Sequence, residues 1–406
     1  MSKASPRNPI LPGATIGIFG GGQLGRMTAM AARAMGYRIQ VLDPDPACPA
    51  RFVVDGCIEA NWDDAREAAN LARGCDVVTL EIEQISLASM DAAASFAPVR
   101  PGRNMLAVIQ DRIEQKNWLR KNGFPLGDFR AVRSLEDLRE AIPALGGRCF
   151  CKSATGGYDG RGQGKVGFRP GADSEQELRG AWEALGEGPG VVERAVELER
   201  EISVLVARSP SGEVKVYPAA WNHHENQILA WSVIPAPLLE PMEVETRDLA
   251  ESIADTFGLE GILAVEMFVT TEGKLLVNEL APRPHNSYHS SERASVTSQF
   301  EQLVRAVCDL PLGDVTTVQP CAIANLLGDV WLNEDGSARE PHFDRALAVP
   351  GVRLHLYEKH RPRKGRKMGH LSAVGATADE AVASVLKAQE LLWTVSFAGL
   401  APAIVT

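Results

Sequence analysis

Two glutamates near the middle of the chain carry the first chemical signal: Glu266 in Ala264-Val-Glu-Met-Phe268 and Glu279 in Leu276-Val-Asn-Glu-Leu280. Each sits in a short apolar run with the composition of a buried strand. The Thr270-Thr-Glu-Gly273 tetrad between them reads as a hairpin turn. A carboxylate inside such a strand costs roughly several kcal/mol unless it is paired or binds a metal. Two of them on adjacent antiparallel strands also repel across a short gap. A hard cation such as Mg2+, held by carboxylate oxygens and substrate phosphates, resolves both problems. Pairing of one Glu with a nearby Arg, for instance Arg283, is the plainer reading. The pair, followed at once by Pro282-Arg-Pro-His-Asn286, favours the metal.

Lys152 ends a strand and stands just before a Gly-rich loop, Gly156-Gly-Tyr-Asp-Gly-Arg-Gly-Gln-Gly164. A lysine under such a flap is suited to hold nucleotide phosphates as a point charge. The loop amides would cover the γ-phosphate and keep water out during transfer. A solvent loop beside a surface lysine is the plainer alternative. Glu193, at the end of Val191-Val-Glu-Arg-Ala195, marks a segment able to bond a purine through its backbone, and Glu201 is placed to accept from ribose hydroxyls. Both could equally be solvated strand ends. The two prolines before His285-Asn-Ser287 would fix that segment beside the phosphates. Near the N-terminus, Gly20-Gly-Gly-Gln-Leu-Gly25 follows a strand and opens a helix, where free N–H groups favour an anion. With Asp43 closing the next strand, this invites a nicotinamide dinucleotide reading. The rest of the chain supplies a different kit. Lys359-His-Arg-Pro-Arg-Lys-Gly-Arg-Lys367 is either a solvated basic face or the docking point of a substrate phosphate.

The elements that must position these groups follow from the hydrophobic pattern. Strands at 14–19, 38–42 and 76–80 alternate with helices, which implies a parallel sheet covered on both faces. Leu24, Met27, Ala31 and Ala34 form the expected buried stripe of the first helix. Residues 110–122 read as a charged amphipathic helix. Strands at 148–152 and 191–195 with a helix over 174–186 form a small α+β unit. Beyond it come strands near 201–207 and 213–219, a helix at 244–257, the two-Glu hairpin, a helix over 291–309, a strand at 321–327 and a last helix near 378–391. The expected division is an N-terminal α/β domain (1–108), a central lid (109–200) and a C-terminal α+β domain with a small extension (201–406).

The 406 residues are 45% hydrophobic and 23% charged, with a net charge of −10, as in an ordinary multidomain globular protein. That charge argues against nucleic acid or an anionic membrane as partner, so an anionic substrate must meet local Arg and Lys clusters. The seven cysteines show no metal or disulfide spacing and read as reduced packing residues. No signal-like segment or apolar run of membrane length appears, and a cytoplasmic location is expected.

Together these motifs resemble the ATP-grasp superfamily, and within it the 5-(carboxyamino)imidazole ribonucleotide synthase family, over almost the whole chain. The matching stretches are Gly20–Gly25, Glu81-Ile-Glu83, Gln110-Asp-Arg112, Lys152, Gly157–Gln163, Asn278–Ser287 and the basic tail. The resemblance implies an ATP-grasp fold with a Rossmann-like parallel-sheet domain in front. It also implies ATP- and bicarbonate-dependent carboxylation of the exocyclic amine of 5-aminoimidazole ribonucleotide, through carboxyphosphate. ATP would be bound by Arg112, Lys152, Gly157, Tyr158, Asp159, Gly160, Arg161, Gly162, Gln163, Glu193, Arg194, Ala195, Val196, Glu201, His224, Asn278 and Glu279. Glu266 and Glu279 would carry Mg2+, with Mn2+ as an alternative. Gln23, Leu24, Glu81, Glu83, Asn286, Ser287, Lys359, Arg366 and Lys367 would face the ribonucleotide. Tyr158, Asp159, Arg161, His285 and Asn286 would surround bicarbonate and the reacting amine, with Asp159 as proton acceptor. A homodimer is implied as well. The formate-using glycinamide ribonucleotide transformylases share this architecture but carry Glu at the Gln23 position and Asp at the Asn286 position. A nicotinamide-dependent oxidoreductase and a non-enzymatic nucleotide sensor are the readings from other classes.

Overall fold

The computed structural model describes residues 8–156, 162–168 and 174–393. Three sheets share the chain. The first is parallel, in the order β3-β2-β1-β4, from β1 (Thr15–Phe19), β2 (Arg38–Asp43), β3 (Gly56–Glu59) and β4 (Val77–Leu80). Helix Gln23–Ala34 leaves the Gly-rich turn after β1. Its buried face is Leu24, Met27, Thr28, Ala29 and Ala32, and Ala34 is exposed, contrary to the expected stripe. The helix packs toward both its own sheet and helix Gln299–Val307, which rotates the buried arc away from Ala34.

The second sheet is antiparallel: β5 (Phe129–Val132), β6 (Cys149–Ser153), β7 (Gln163–Val166) and β8 (Gly190–Arg194), in the order β5-β8-β6-β7. Its core is a separate cluster that includes Val132, Leu138, Ile142, Leu178 and Val192, beneath helices Leu135–Ala144 and Ser174–Ala184. The third sheet has nine strands: β9 (Leu198–Arg208), β10 (Val214–Val216), β11 (Ala220–Glu225), β12 (Ile228–Ile234), β13 (Gly261–Thr270), β14 (Leu275–Ala281), β15 (Cys321–Leu327), β16 (Val352–Leu356) and β17 (Lys367–Val374). It runs β14-β13-β9-β11-β12-β15-β17-β16, with β10 on β9.

One hydrophobic cluster joins Ile16, Ile18 and Ile39 of the first sheet to Leu205 and Ile262 of the third and to Val304 of helix Gln299–Val307. The stretch expected as one helix over 291–309 is two, Ser291–Ala294 and Gln299–Val307. Ser298 caps the second by accepting from the Glu301 amide at 3.2 Å. All seven cysteines are free thiols. No described helix is long and apolar enough to cross a membrane.

Candidate active site

The hairpin of β13 and β14 sets Glu266 directly opposite Glu279. A bulge between Glu266 and Met267 leaves Asn278 as an extra residue on β14. Successive strand residues normally point to opposite faces. The bulge cancels one step of that alternation, so Asn278 and Glu279 both line the same cleft. Thr270 and Gly273 close the turn through a 2.8 Å backbone bond, with Gly273 at φ +75. The cleft, about 1640 Å3, lies where the three sheets meet.

Each carboxylate already has a cationic or proton-sharing neighbour. Glu279 accepts from Arg112 Nη1 at 2.8 Å, and Glu266 lies 2.9 Å from His285 Nε2. Burial works to raise the Glu266 carboxyl, but His285 outweighs it and holds the acid down at about 2. His285 Nδ1 is fixed in turn by Ser287 Oγ at 2.8 Å, and that hydroxyl meets Ser203 Oγ at 2.7 Å. Ser287 is therefore fully buried and orients His285, which corrects its expected place against the ribonucleotide. Arg283 pairs with Glu83 at 2.7 Å rather than with either central glutamate.

Lys152 leaves β6 into the cleft, 3.1 Å from Asn278 Oδ1 and 2.5 Å from Glu193. The other oxygen of Glu193 is 2.5 Å from Lys116, a residue the sequence reading passed over. Burial acts to raise Glu193, yet the two ammonium groups drive it far below the usual carboxylate range. Burial lowers Lys116. The signal for Lys116 was its spacing: it falls between Ile113 and Leu119 on the buried face of helix Arg112–Lys121, where a lysine needs an anion. The segment after Glu193 is partly committed, because the amides of Arg194 and Ala195 donate to the carbonyls of Asp128 and Arg148. Those two N–H groups are thus engaged within the sheet, and Arg194 and Val196 line the cleft with Phe150, Leu198 and Phe268. Glu201 Oε2 lies 2.8 Å from His224 Nδ1 as an ion-pair contact; burial lowers the imidazole, and Glu201 more than offsets this.

At the other end of the cleft the glycine loop is plugged from within. Gly22 and Gly25 amides donate to the two oxygens of Glu81 at 2.5 and 2.8 Å, and Gly21 donates to Asp43 at 2.7 Å. A Cβ on Gly22 would lie 2.5 Å from Glu81 Oε1, so the loop closes tightly on this carboxylate. Burial raises the Glu81 carboxyl against the pull of those amides. Three amides that a dinucleotide pyrophosphate would use are thus engaged, which counts against the nicotinamide reading. Glu81 braces the loop and Glu83 holds Arg283, and both line the cleft.

Three expected ribonucleotide contacts do converge. Gln23 Nε2 donates to Asn286 Oδ1 at 2.9 Å, and Lys359 Nζ donates to Gln23 Oε1 at 2.6 Å and to the Lys367 carbonyl at 2.8 Å. Arg366 and Lys367 line the same region, and the Arg366 guanidinium donates to the Arg361 carbonyl at 2.9 Å. Leu24 reaches the cleft wall, with its side chain packed among Met27, Phe300 and Tyr357. Gln163 also lines the cleft, and Gly162, at φ +68, anchors its end of the flap through its carbonyl to the Ser153 amide. Gly157, Tyr158, Asp159, Gly160 and Arg161 lie outside the described residues.

Comparison with known proteins agrees with this layout. Residues 13–110 match the ribonucleotide synthetase preATP-grasp domain, 117–300 the ATP-grasp domain, and 321–384 the phosphoribosylaminoimidazole carboxylase C-terminal domain. The N5-carboxyaminoimidazole ribonucleotide synthase of Bacillus subtilis is 39% identical over 91% of this chain and 94% of its own length. That of Brucella melitensis is 40% identical over 91% and 98%. A synthase of Aspergillus clavatus, solved with ADP and 5-aminoimidazole ribonucleotide, superposes with a TM-score of 0.83 at 29% identity, covering 93% of this chain and 98% of that one. The Staphylococcus aureus enzyme, solved with ADP, gives 0.85 at 32% identity over 94% and 98%. Matched along nearly its whole length by these relatives, the chain belongs to the N5-carboxyaminoimidazole ribonucleotide synthase family of ATP-grasp ligases.

Proposed function

We infer that the chain uses ATP to carboxylate the exocyclic amine of 5-aminoimidazole ribonucleotide, giving the N5-carboxyamino product, ADP and phosphate in purine biosynthesis. The observation that carries this reading is one cleft holding two unlike ends. Arg112, Lys116 and Lys152 gather around Glu193 and Glu279 at one end, and Lys359, Gln23 and Asn286 link up at the other. The first end suits a triphosphate and the second a smaller, hydrogen-bonding nucleotide. In an acidic protein these are the local cation clusters an anionic substrate requires.

Bicarbonate is a poor electrophile, and its phosphorylation to carboxyphosphate makes it reactive. The protein contributes placement and charge neutralisation, as in phosphoryl transfer generally. Lys152 offsets phosphate charge, and Asn278 holds its ammonium group in line. Glu266 and Glu279 fit a divalent cation by donor type and by their opposed register. When bound, Mg2+ would neutralise charge on the β- and γ-phosphates, with Mn2+ as an alternative. His285, braced by Ser287, keeps the Glu266 carboxylate ionised and ready. Tyr158, Asp159 and Arg161 are proposed to enclose bicarbonate and the amine, with Asp159 taking the proton released as the C–N bond forms. The active form is proposed to be a cytoplasmic homodimer.

A coupled assay of ADP release tests this reading. Turnover should require 5-aminoimidazole ribonucleotide and bicarbonate together. Turnover driven instead by glycinamide ribonucleotide and formate would replace the assignment with the transformylase reaction.

A further inference from the structure

Behind the wall that carries Lys359, three potential ligands converge on a site the carboxylation chemistry does not use. His355 on β16 and His370 on β17 are direct cross-strand partners, with ring centroids 5.0 Å apart. Glu292, from helix Ser291–Ala294, brings Oε2 to 3.5 Å from His355 Nδ1. One ligand atom from each of the three lies within 4.8 Å of the other two. Tetrahedral ligands about 2.1 Å from zinc stand roughly 3.4 Å apart, so the three need only modest rotamer adjustment to converge.

The surroundings favour nitrogen ligation. His370 Nδ1 is 2.8 Å from Tyr357 Oη, which leaves Nε2 as its ligand atom and supplies the outer-shell partner that metal-binding histidines use. A third imidazole, His289, stacks on His370 at 4.8 Å, and its buried Nε2 has no hydrogen-bond partner among the described residues. The cations facing the cluster are Arg26 beside His355 and Arg353 beside Glu292. The pocket next to it, about 510 Å3, is lined by Glu292, His355, Ser295 and Met27 and gives an approach from solvent.

We propose that Glu292, His355 and His370 form a second metal site, separate from the Glu266–Glu279 pair, that takes a borderline transition metal of the zinc class. Two imidazoles and one carboxylate are a zinc-type donor set, whereas Mg2+ prefers oxygen alone. With metal on Nε2, His370 carries its ring proton on Nδ1 and donates to Tyr357, the ring over which Lys359 Nζ sits at 5.5 Å.

The test is titration of chelator-stripped protein with Zn2+ by calorimetry, in excess Mg2+ and without nucleotide, so that the hard-oxygen site is saturated. One equivalent per chain should bind, raising the melting temperature. Co2+ in place of Zn2+ should give the visible absorption of a nitrogen-ligated ion. E292Q and H355A should each weaken Zn2+ binding at least about tenfold while ADP-release turnover stays within about twofold of the parent. The retained turnover reports that both variants fold and separates this result from any failure of the carboxylase assignment. Absence of Zn2+ binding to the parent protein, or unchanged binding in E292Q, overturns the proposal. If H355A fails to fold, E292Q at the solvent-facing end of the cluster decides alone.

Discussion

Glu193 and its two lysines form a buried ion triad in which one carboxylate fixes Lys152 and Lys116 together. Removing one partner leaves an uncompensated buried charge, typically the costly case. Glu193→Gln should therefore raise the KM for ATP at least about tenfold, since Lys152 loses its anchor. Lys116→Met should give a milder rise of the same kind, measured in the ADP-release assay at saturating second substrate. The triad also sets an acid limit on stability. The folded-state pKa of Glu193 is depressed, so its contribution is present above its ordinary value of 4.5 and lost as the pH falls below it. Urea midpoints measured from pH 7 downward should drop on acidification, and less steeply in the Gln variant. Lys116 was missed because a basic residue in a charged helix looks solvated, and its burial depends on β8, distant in sequence.

At the scale of elements, the hairpin and strands such as β1, β2, β4, β6, β8, β9 and β15 were legible because apolar runs and a Gly turn leave few alternatives, while β3, β5, β7, β11, β12, β16 and β17 lay outside that reading. The opposed Glu266 and Glu279 were legible for a related reason: a charge within an apolar run demands an explanation. Two further things were not. The bulge that turns Asn278 and Glu279 to one side has no local signature, since it arises from the register between β13 and β14. The role of Glu81 depends on β4 lying beside β1, which aims its side chain into the glycine loop. That packing leaves no room at Gly22. Gly22→Ala should destabilise the protein by about 1–3 kcal/mol, the usual cost of overpacking, read as a lower urea midpoint. Bound ribonucleotide should recover little of the loss.

Across the whole molecule, cohesion is uneven. The first and third sheets share one continuous core, and Arg100 ties them further through Glu260 and the Val307 carbonyl. The central sheet has its own core and reaches the rest through the cleft ion pairs and a small apolar cluster of Phe129 and Val191 with Ile113. Hydrogen exchange followed by mass spectrometry should show residues 129–194 opening more readily than either neighbour, with ATP slowing exchange there most strongly. Uniform protection across all three sheets would contradict this division. The Lys359–Gln23–Asn286 chain crosses from the first domain to the third, so Gln23→Ala should raise the KM for the ribonucleotide about tenfold and leave that for ATP nearly unchanged.

The carboxylate plug in the glycine loop bears on how the enzyme behaves in a mixture. A cell holds abundant phosphate and dinucleotides, and an open helix terminus of this shape is a general receptor for them. By engaging the Gly21, Gly22 and Gly25 amides with Asp43 and Glu81, the loop keeps the tight turn that places Gln23 while withholding those three donors from such anions. A receptor with part of its donors satisfied in advance holds stray anions less firmly, which favours molecules that approach from the cleft.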